Sequence, residues 1–228
     1  EIRTSETDPI LVSWAGREGP ASRLGLTFAP GRSGPSGTLL SVEWHRDLDA
    51  DMAMLRRLGT DWLVCLMERP EMERCGMADY DGAARRVGLH VVRFPIVDGN
   101  IPGADVQDAL RAHVSRLADR LRTGERVVVH CRGGLGRTGT IAGCILVELG
   151  MTGPAALAAV AAARGPNCPE RQTQRDCVLN YGRHDRLALL EALGEGRVSP
   201  EDAARLADVG WSELDPDAPD VLRSLLFR

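Results

Sequence analysis

Arg126-Val127-Val128-Val129-His130-Cys131-Arg132-Gly133-Gly134-Leu135-Gly136-Arg137-Thr138-Gly139-Thr140 passes from an apolar run, through a glycine-rich turn, into a helix opened by a hydroxyl residue. The valines predict a strand buried on both faces, and the apolar residues after Thr140 predict a core helix. Strand, short loop and helix in that order are the building unit of a parallel sheet. Each residue of the loop has a physical purpose if the ligand is a phosphate monoester. Successive amides can turn inward as an anion nest. The helix beginning near Arg137 aims its positive end at the same point. Arg137 offers a planar fork to two phosphate oxygens. Cys131, at the base, is where a thiolate is stabilised and can attack phosphorus from behind.

The pattern H-C-x5-R-[ST] arises by chance on the order of 10⁻³ times in a sequence of this composition. Gly134, Gly136 and Gly139 also match the dinucleotide fingerprint, but no acidic residue ends a following strand about 20 residues on, where a ribose partner belongs. A Walker A loop is excluded because the chain contains no lysine. The plain alternative for Cys131 is a buried cysteine in a tight turn, which leaves the arginine and threonine offsets unexplained.

The stretch from His130 to Thr140 resembles the signature loop of the cysteine-dependent protein tyrosine phosphatase superfamily. Its Gly-Gly-Leu-Gly-Arg core is most similar to the kinase-associated branch of the dual-specificity phosphatases and their bacterial relatives. The resemblance runs from about residue 24 to 181. It implies Cys131 and Arg137 as catalytic residues, with Arg132, Gly133, Gly134, Leu135 and Gly136 lining the phosphate. It also implies that His130 positions the loop and stabilises the thiolate. A core histidine with one satisfied nitrogen is the plain alternative, and the two roles overlap. The Thr138 hydroxyl is placed to reach back to the sulfur.

An alkoxide or phenoxide leaves poorly, so the chemistry needs an acid opposite the nucleophile. Phe94-Pro95-Ile96-Val97-Asp98-Gly99-Asn100-Ile101-Pro102 is a loop with one carboxylate. Asp98 matches the general-acid position of the dual-specificity enzymes; the alternative, an Asx-turn before Gly99, is what an isolated loop aspartate would make. In Arg171-Gln172-Thr173-Gln174, the family's water-orienting glutamine corresponds best to Gln172, with Gln174 second. Asp176 stands where many relatives carry another glutamine, and a surface glutamine is the competing reading. Some members of the superfamily protect the nucleophile by a disulfide to a second cysteine. Cys65 lies in the matching region, although a core cysteine is the preferred reading there.

The 28 basic residues are all arginine, which with abundant alanine and glycine points to a GC-rich bacterial genome and removes any lysine nucleophile. A net charge of −4 argues against nucleic acid or an anionic membrane as partner. Six cysteines without C-x-x-C or zinc spacing indicate neither a disulfide framework nor a metal site, and the chemistry calls for no cofactor. A reducing cytoplasm suits a thiolate enzyme. No apolar run approaches the roughly 18 residues of a membrane span. The chain opens on Glu1 without a signal-like segment, as a trimmed chain does.

Along the chain, strands are predicted at 10–14, 24–28, 61–66, 90–94 and 126–130, and helices at 47–58, 80–87, 104–121 and 154–164. Residues 29–37 read as a loop. The alternation implies an α/β fold, a mostly parallel central sheet flanked by helices on both faces, with the signature loop at the carboxyl end of a central strand. The organisation expected is a phosphatase domain over 1–184, its first 23 or so residues peripheral, and a helical C-terminal extension over 185–228 with helices at 199–209 and 215–227. The function implied is a dual-specificity phosphatase acting on phosphotyrosine and phosphoserine or phosphothreonine in proteins. The same chemistry on a small phosphorylated metabolite, nucleotide or inositol phosphate is the second reading. A phosphate-binding pseudoenzyme is the third, disfavoured by intact Cys131, Arg137 and Asp98.

Overall fold

A computed structural model of the protein describes residues 1–35 and 42–181. In chain order its strands are β1 (Ile2–Thr4), β2 (Ser13–Trp14), β3 (Leu24–Thr27), β4 (Ser33–Pro35), β5 (Glu43–His45), β6 (Trp62–Cys65), β7 (His90–Arg93) and β8 (Val127–His130). The α-helices are α1 (Leu48–Arg57), α2 (Arg69–Arg74), α3 (Tyr80–Arg86), α4 (Gln107–Arg122), α5 (Gly136–Glu148), α6 (Gly153–Arg164) and α7 (Gln172–Asn180).

The five-stranded sheet has the order β2-β3-β8-β6-β7, parallel except for the antiparallel edge strand β2. Alternate residues of its strands enter two apolar layers. Leu24, Leu26, Val64, Val127 and Val129 pack with α4 and α5, while Leu63 and Val128 pack with α1 and α3. That two-sided burial is why β8 is apolar at consecutive positions rather than alternating. In α4, Leu110, Val114, Leu117 and Leu121 form the stripe that faces the sheet. Helix α5 is buried throughout from Gly136 to Leu146, and its neighbours α4, α6 and α7 enclose it. Asp47 caps α1 by accepting the Ala50 N–H at 2.8 Å.

Several local expectations are corrected. The predicted loop at 29–37 contains β4, which joins β1 and β5 in a second, three-stranded sheet. Only Ser13 and Trp14 of the predicted 10–14 strand pair, although Ile10 is buried in the core. Helix α2 was not anticipated; Pro70 in its first turn is the start signal it carries. The predicted helices at 199–209 and 215–227 lie outside the described residues.

Candidate active site

The signature loop leaves the carboxyl end of β8 and enters α5. Its carbonyls are held by neighbouring segments. The Arg132 carbonyl accepts from Ala29 N and from Arg32 Nη1, both at 3.2 Å. The Gly134 carbonyl accepts from Arg164 Nε at 3.2 Å, and the Leu135 carbonyl from the Cys168 thiol at 3.2 Å. Gly134 adopts φ 74° against the main chain at Thr27 and Phe28, so a Cβ there would strike backbone. Its N–H points at Cys131 Sγ from 3.3 Å, and the sulfur belongs to a residue only 4% exposed. The first N–H groups of α5, the helix that the loop enters, have no intrahelical acceptor.

Arg137 is 1% exposed, and its end-on fork is already engaged. Nη1 and Nη2 donate to the two Glu71 oxygens, each at 2.7 Å, and Nη1 also donates to the Ile96 carbonyl at 3.0 Å. The edge that remains for two phosphate oxygens is Nε with the second Nη2 hydrogen. Asp98 Oδ1 stands 2.8 Å from Nη2. Burial by itself depresses the guanidinium, but its hydrogen bonds to Glu71 and the charges of Cys131, Glu71 and Asp98 outweigh it and raise it. Asp98 comes from the loop after β7, its side chain two-thirds exposed, and its carboxylate faces Arg137 rather than closing an Asx-turn.

His130 is fully buried, and burial pushes it down to about 3 despite its bond to the Cys131 carbonyl. A carbonyl only accepts, so Nδ1, 3.2 Å from it, carries the proton, and Nε2 accepts from the Tyr80 hydroxyl. Thr138 is buried, but its hydroxyl has no hydrogen-bond partner among the described residues and does not bond to the sulfur as expected. Arg132 leans to the Pro35 carbonyl at 3.3 Å. Gly133 adjoins open space, and Gly136 packs against Gln174.

The two glutamines differ. Gln172 is exposed and donates to Asp176 at 2.8 Å. Gln174 is buried; its amide reaches the Asn100 carbonyl of the acid loop at 3.4 Å and lies against Gly136 of the signature loop. Cys65 packs with Leu63 and Met72 in the apolar layer that excludes Cys131, and burial pushes its thiol up, as for a core cysteine. Beyond the predicted residues, the structure adds Glu71, Tyr80, Arg32 and Arg164. Among the described residues no helix is long and apolar enough to cross a membrane.

A buried cysteine under the Gly134 amide, an arginine fixed near it and a carboxylate facing that arginine, at the end of a mostly parallel sheet, define the class of cysteine-dependent phosphatases. The profile "PTP-SAK: Swiss Army Knife protein, DSP-PTPase phosphatase domain" matches residues 37–178, more than half of the chain, and the chain belongs to that family. It is similar to cyclin-dependent kinase inhibitor 3 of Rattus norvegicus, 26% identical over 149 residues, 65% of this chain. The match spans 66% of that relative, just under two thirds of its length. Two solved structures share the fold. Kinase associated phosphatase, with its catalytic-site cysteine replaced by serine, superposes with a TM-score of 0.65 at 20% identity, covering 78% of this chain and 96% of its own. Tk-PTP in the active form gives 0.57 at 22% identity, covering 75% and 96%.

Proposed function

We propose that the domain hydrolyses phosphomonoesters of protein tyrosine, serine and threonine through a phosphocysteine intermediate. The observation that carries this reading is that one guanidinium, Arg137, lies beside both the candidate nucleophile and the candidate acid, with Asp98 Oδ1 2.8 Å from Nη2. Phosphate binding on the Nε–Nη2 edge displaces the Asp98 carboxylate from Nη2, and as it turns toward the leaving oxygen it takes up a proton from solvent. The Cys131 thiolate attacks phosphorus; the S–P bond forms as the P–O bond breaks, and the departing oxygen takes the Asp98 proton. Asp98, now a carboxylate, takes a proton from water, whose oxygen attacks phosphorus and releases the thiolate and inorganic phosphate. The loop amides and Arg137 hold the equatorial oxygens throughout. The orphan Thr138 hydroxyl is available to the departing thiolate. Gln174 takes the water-orienting role that the resemblance assigned first to Gln172, since it touches both the acid loop and the signature loop.

Turnover of phenyl phosphate, whose leaving group is poor, tests the reading. Asp98→Asn is expected to lower kcat by about 10²–10⁴ with substrate binding largely kept, and Cys131→Ser to abolish turnover. Activity retained in Cys131→Ser, or an unchanged kcat in Asp98→Asn, overturns it. A small phosphorylated metabolite as substrate is the second reading, favoured by the arginines of the cleft beside the loop.

A further inference from the structure

Several arginines among the described residues face carboxylates: Arg46 meets Asp51 at 2.7 Å, Arg93 meets Asp81 at 2.9 Å, and Arg137 meets Glu71. Four beside the signature loop do not, among the described residues: Arg164, which donates to the Gly134 carbonyl, and Arg32, Arg74 and Arg132. Arg32 is only 7% exposed, yet it donates to the Arg132 carbonyl and rests over the Trp44 ring, 4.9 Å from its centroid, without any carboxylate. Arg132 has the Pro35 carbonyl alone, and Arg74 ends α2 beside it. A guanidinium more than nine-tenths buried without a counter-ion is costly. Burial and the neighbouring Arg132 push Arg32 down to about 10.

Arg32, Arg74 and Arg132 bear on one cleft of about 270 Å³. Asp98, Glu71, Glu68, Arg74 and Arg132 line it, and β4, directly preceded by Arg32, forms one wall. In the reaction proposed above, the alcohol half of the substrate leaves past Asp98, so it lies in this cleft. Arg137 balances Glu71, and Asp98, protonated as the acid of that reaction, carries no charge. What remains is Arg74 and Arg132 against Glu68, with Arg32 behind the wall, an excess of positive charge where the leaving group sits.

The geometry points to a second anion site, formed by Arg74 and Arg132 with Arg32 behind them, that binds a phosphate carried on the alcohol half of the substrate. Doubly phosphorylated monoesters are thus the preferred substrate class. The inference rests on the phosphatase reading for the direction in which the alcohol leaves. Arg74 and Arg132 make the contacts; Arg32, desolvated, adds field that solvent screens little.

Two matched pairs of probes test it and separate the sources of the second phosphate. One pair is myo-inositol monophosphate and its vicinal bisphosphate. The other is a phosphotyrosine peptide with the neighbouring threonine free or phosphorylated. In at least one pair kcat/KM is expected to favour the doubly phosphorylated member by about tenfold or more, with the effect weakening as salt rises. Arg74→Gln, an exposed position, is expected to remove most of that preference while kcat/KM for the singly phosphorylated member stays within about twofold. Arg32→Gln lowers the same ratio, but it also loosens the loop, so Arg74→Gln decides. Binding of the same four compounds to the Cys131→Ser protein gives a readout independent of turnover. No preference in either pair, or a preference that survives Arg74→Gln, overturns the inference. If no monoester is hydrolysed, the reaction fails on its own account, while the binding ratios still judge the second site.

Discussion

With Arg137 withdrawn from water, its charge needs a partner that stays in place when substrate departs, and the Glu71 carboxylate supplies both oxygens at 2.7 Å. That partner also fixes which edge of the guanidinium faces the nest. Removing it leaves a buried cation held only by main-chain carbonyls and by the mobile claim of Asp98. Glu71→Gln is expected to cost about 3–5 kcal/mol of stability and to lower kcat/KM about 10²-fold through misplacement of Arg137. Urea unfolding and steady-state kinetics check this; a midpoint and kcat/KM both at wild-type values would show that Arg137 needs no anchor. The candidates Cys131 and Arg137 were legible because the chemistry dictates residue type and local spacing, and Asp98 because its loop resembles the family's acid loop. Glu71 was not: it lies 66 residues before its partner, among Glu68, Arg69, Glu73 and Arg74, where every alternate residue is charged. Nothing local distinguishes the one carboxylate that turns inward. Tyr80, which satisfies His130 from 50 positions away, was hidden for the same reason.

At the level of elements, the loop-bearing helix α5 is also the packing hub, and its small residues set how closely α7 approaches. A Cβ on Gly143 would stand 2.7 Å from Val178 Cγ2. Gly143→Ala is therefore expected to push α7 outward, costing about 1–3 kcal/mol net of the gain in helix propensity. Since α7 carries Gln174 to both functional loops, the second step of hydrolysis slows with it. Shaving the neighbour, in Gly143→Ala with Val178→Ala, restores the spacing, so a double-mutant cycle should return a favourable coupling. Additive losses would mean that the two helices do not meet there. Periodicity revealed the long elements correctly, because α4 and β8 each bury a face that their own sequence displays. It did not reveal β4, since Ser33-Gly34-Pro35 has no apolar pattern and owes its strand form to hydrogen bonds with β5. Helix α2 is short, and its buried Glu71 and Met72 are adjacent rather than on a helical stripe.

Across the whole molecule, the absence of lysine and the permanence of arginine charge leave the histidines as the side chains whose ordinary titration falls near pH 6.5. The fold puts His130 at the centre of the sheet, where burial pushes it down to about 3, and half-buries His113, which burial and Arg116 also lower. Both shifts have one sign. The folded protein keeps His130 neutral down to about pH 3, whereas the unfolded chain takes up the proton below about 6.5. The unfolded state thus binds more protons in that window, and stability, complete above it, declines as pH falls through it. The decline from His130 alone is at most about 1.4 kcal/mol per pH unit, with a smaller share from His113. Urea midpoints at pH 7.5, 6.0 and 5.0 measure it, and His130→Asn separates this residue from the carboxylates common to both proteins. The variant starts lower, having lost its bond to Tyr80, but it should lose less per pH unit than the parent. Parallel curves would show that the imidazole already carries a proton in the fold. In that case Nε2 could not accept from Tyr80, and the hydrogen-bond order that seats the signature loop on β8 would have to be reversed.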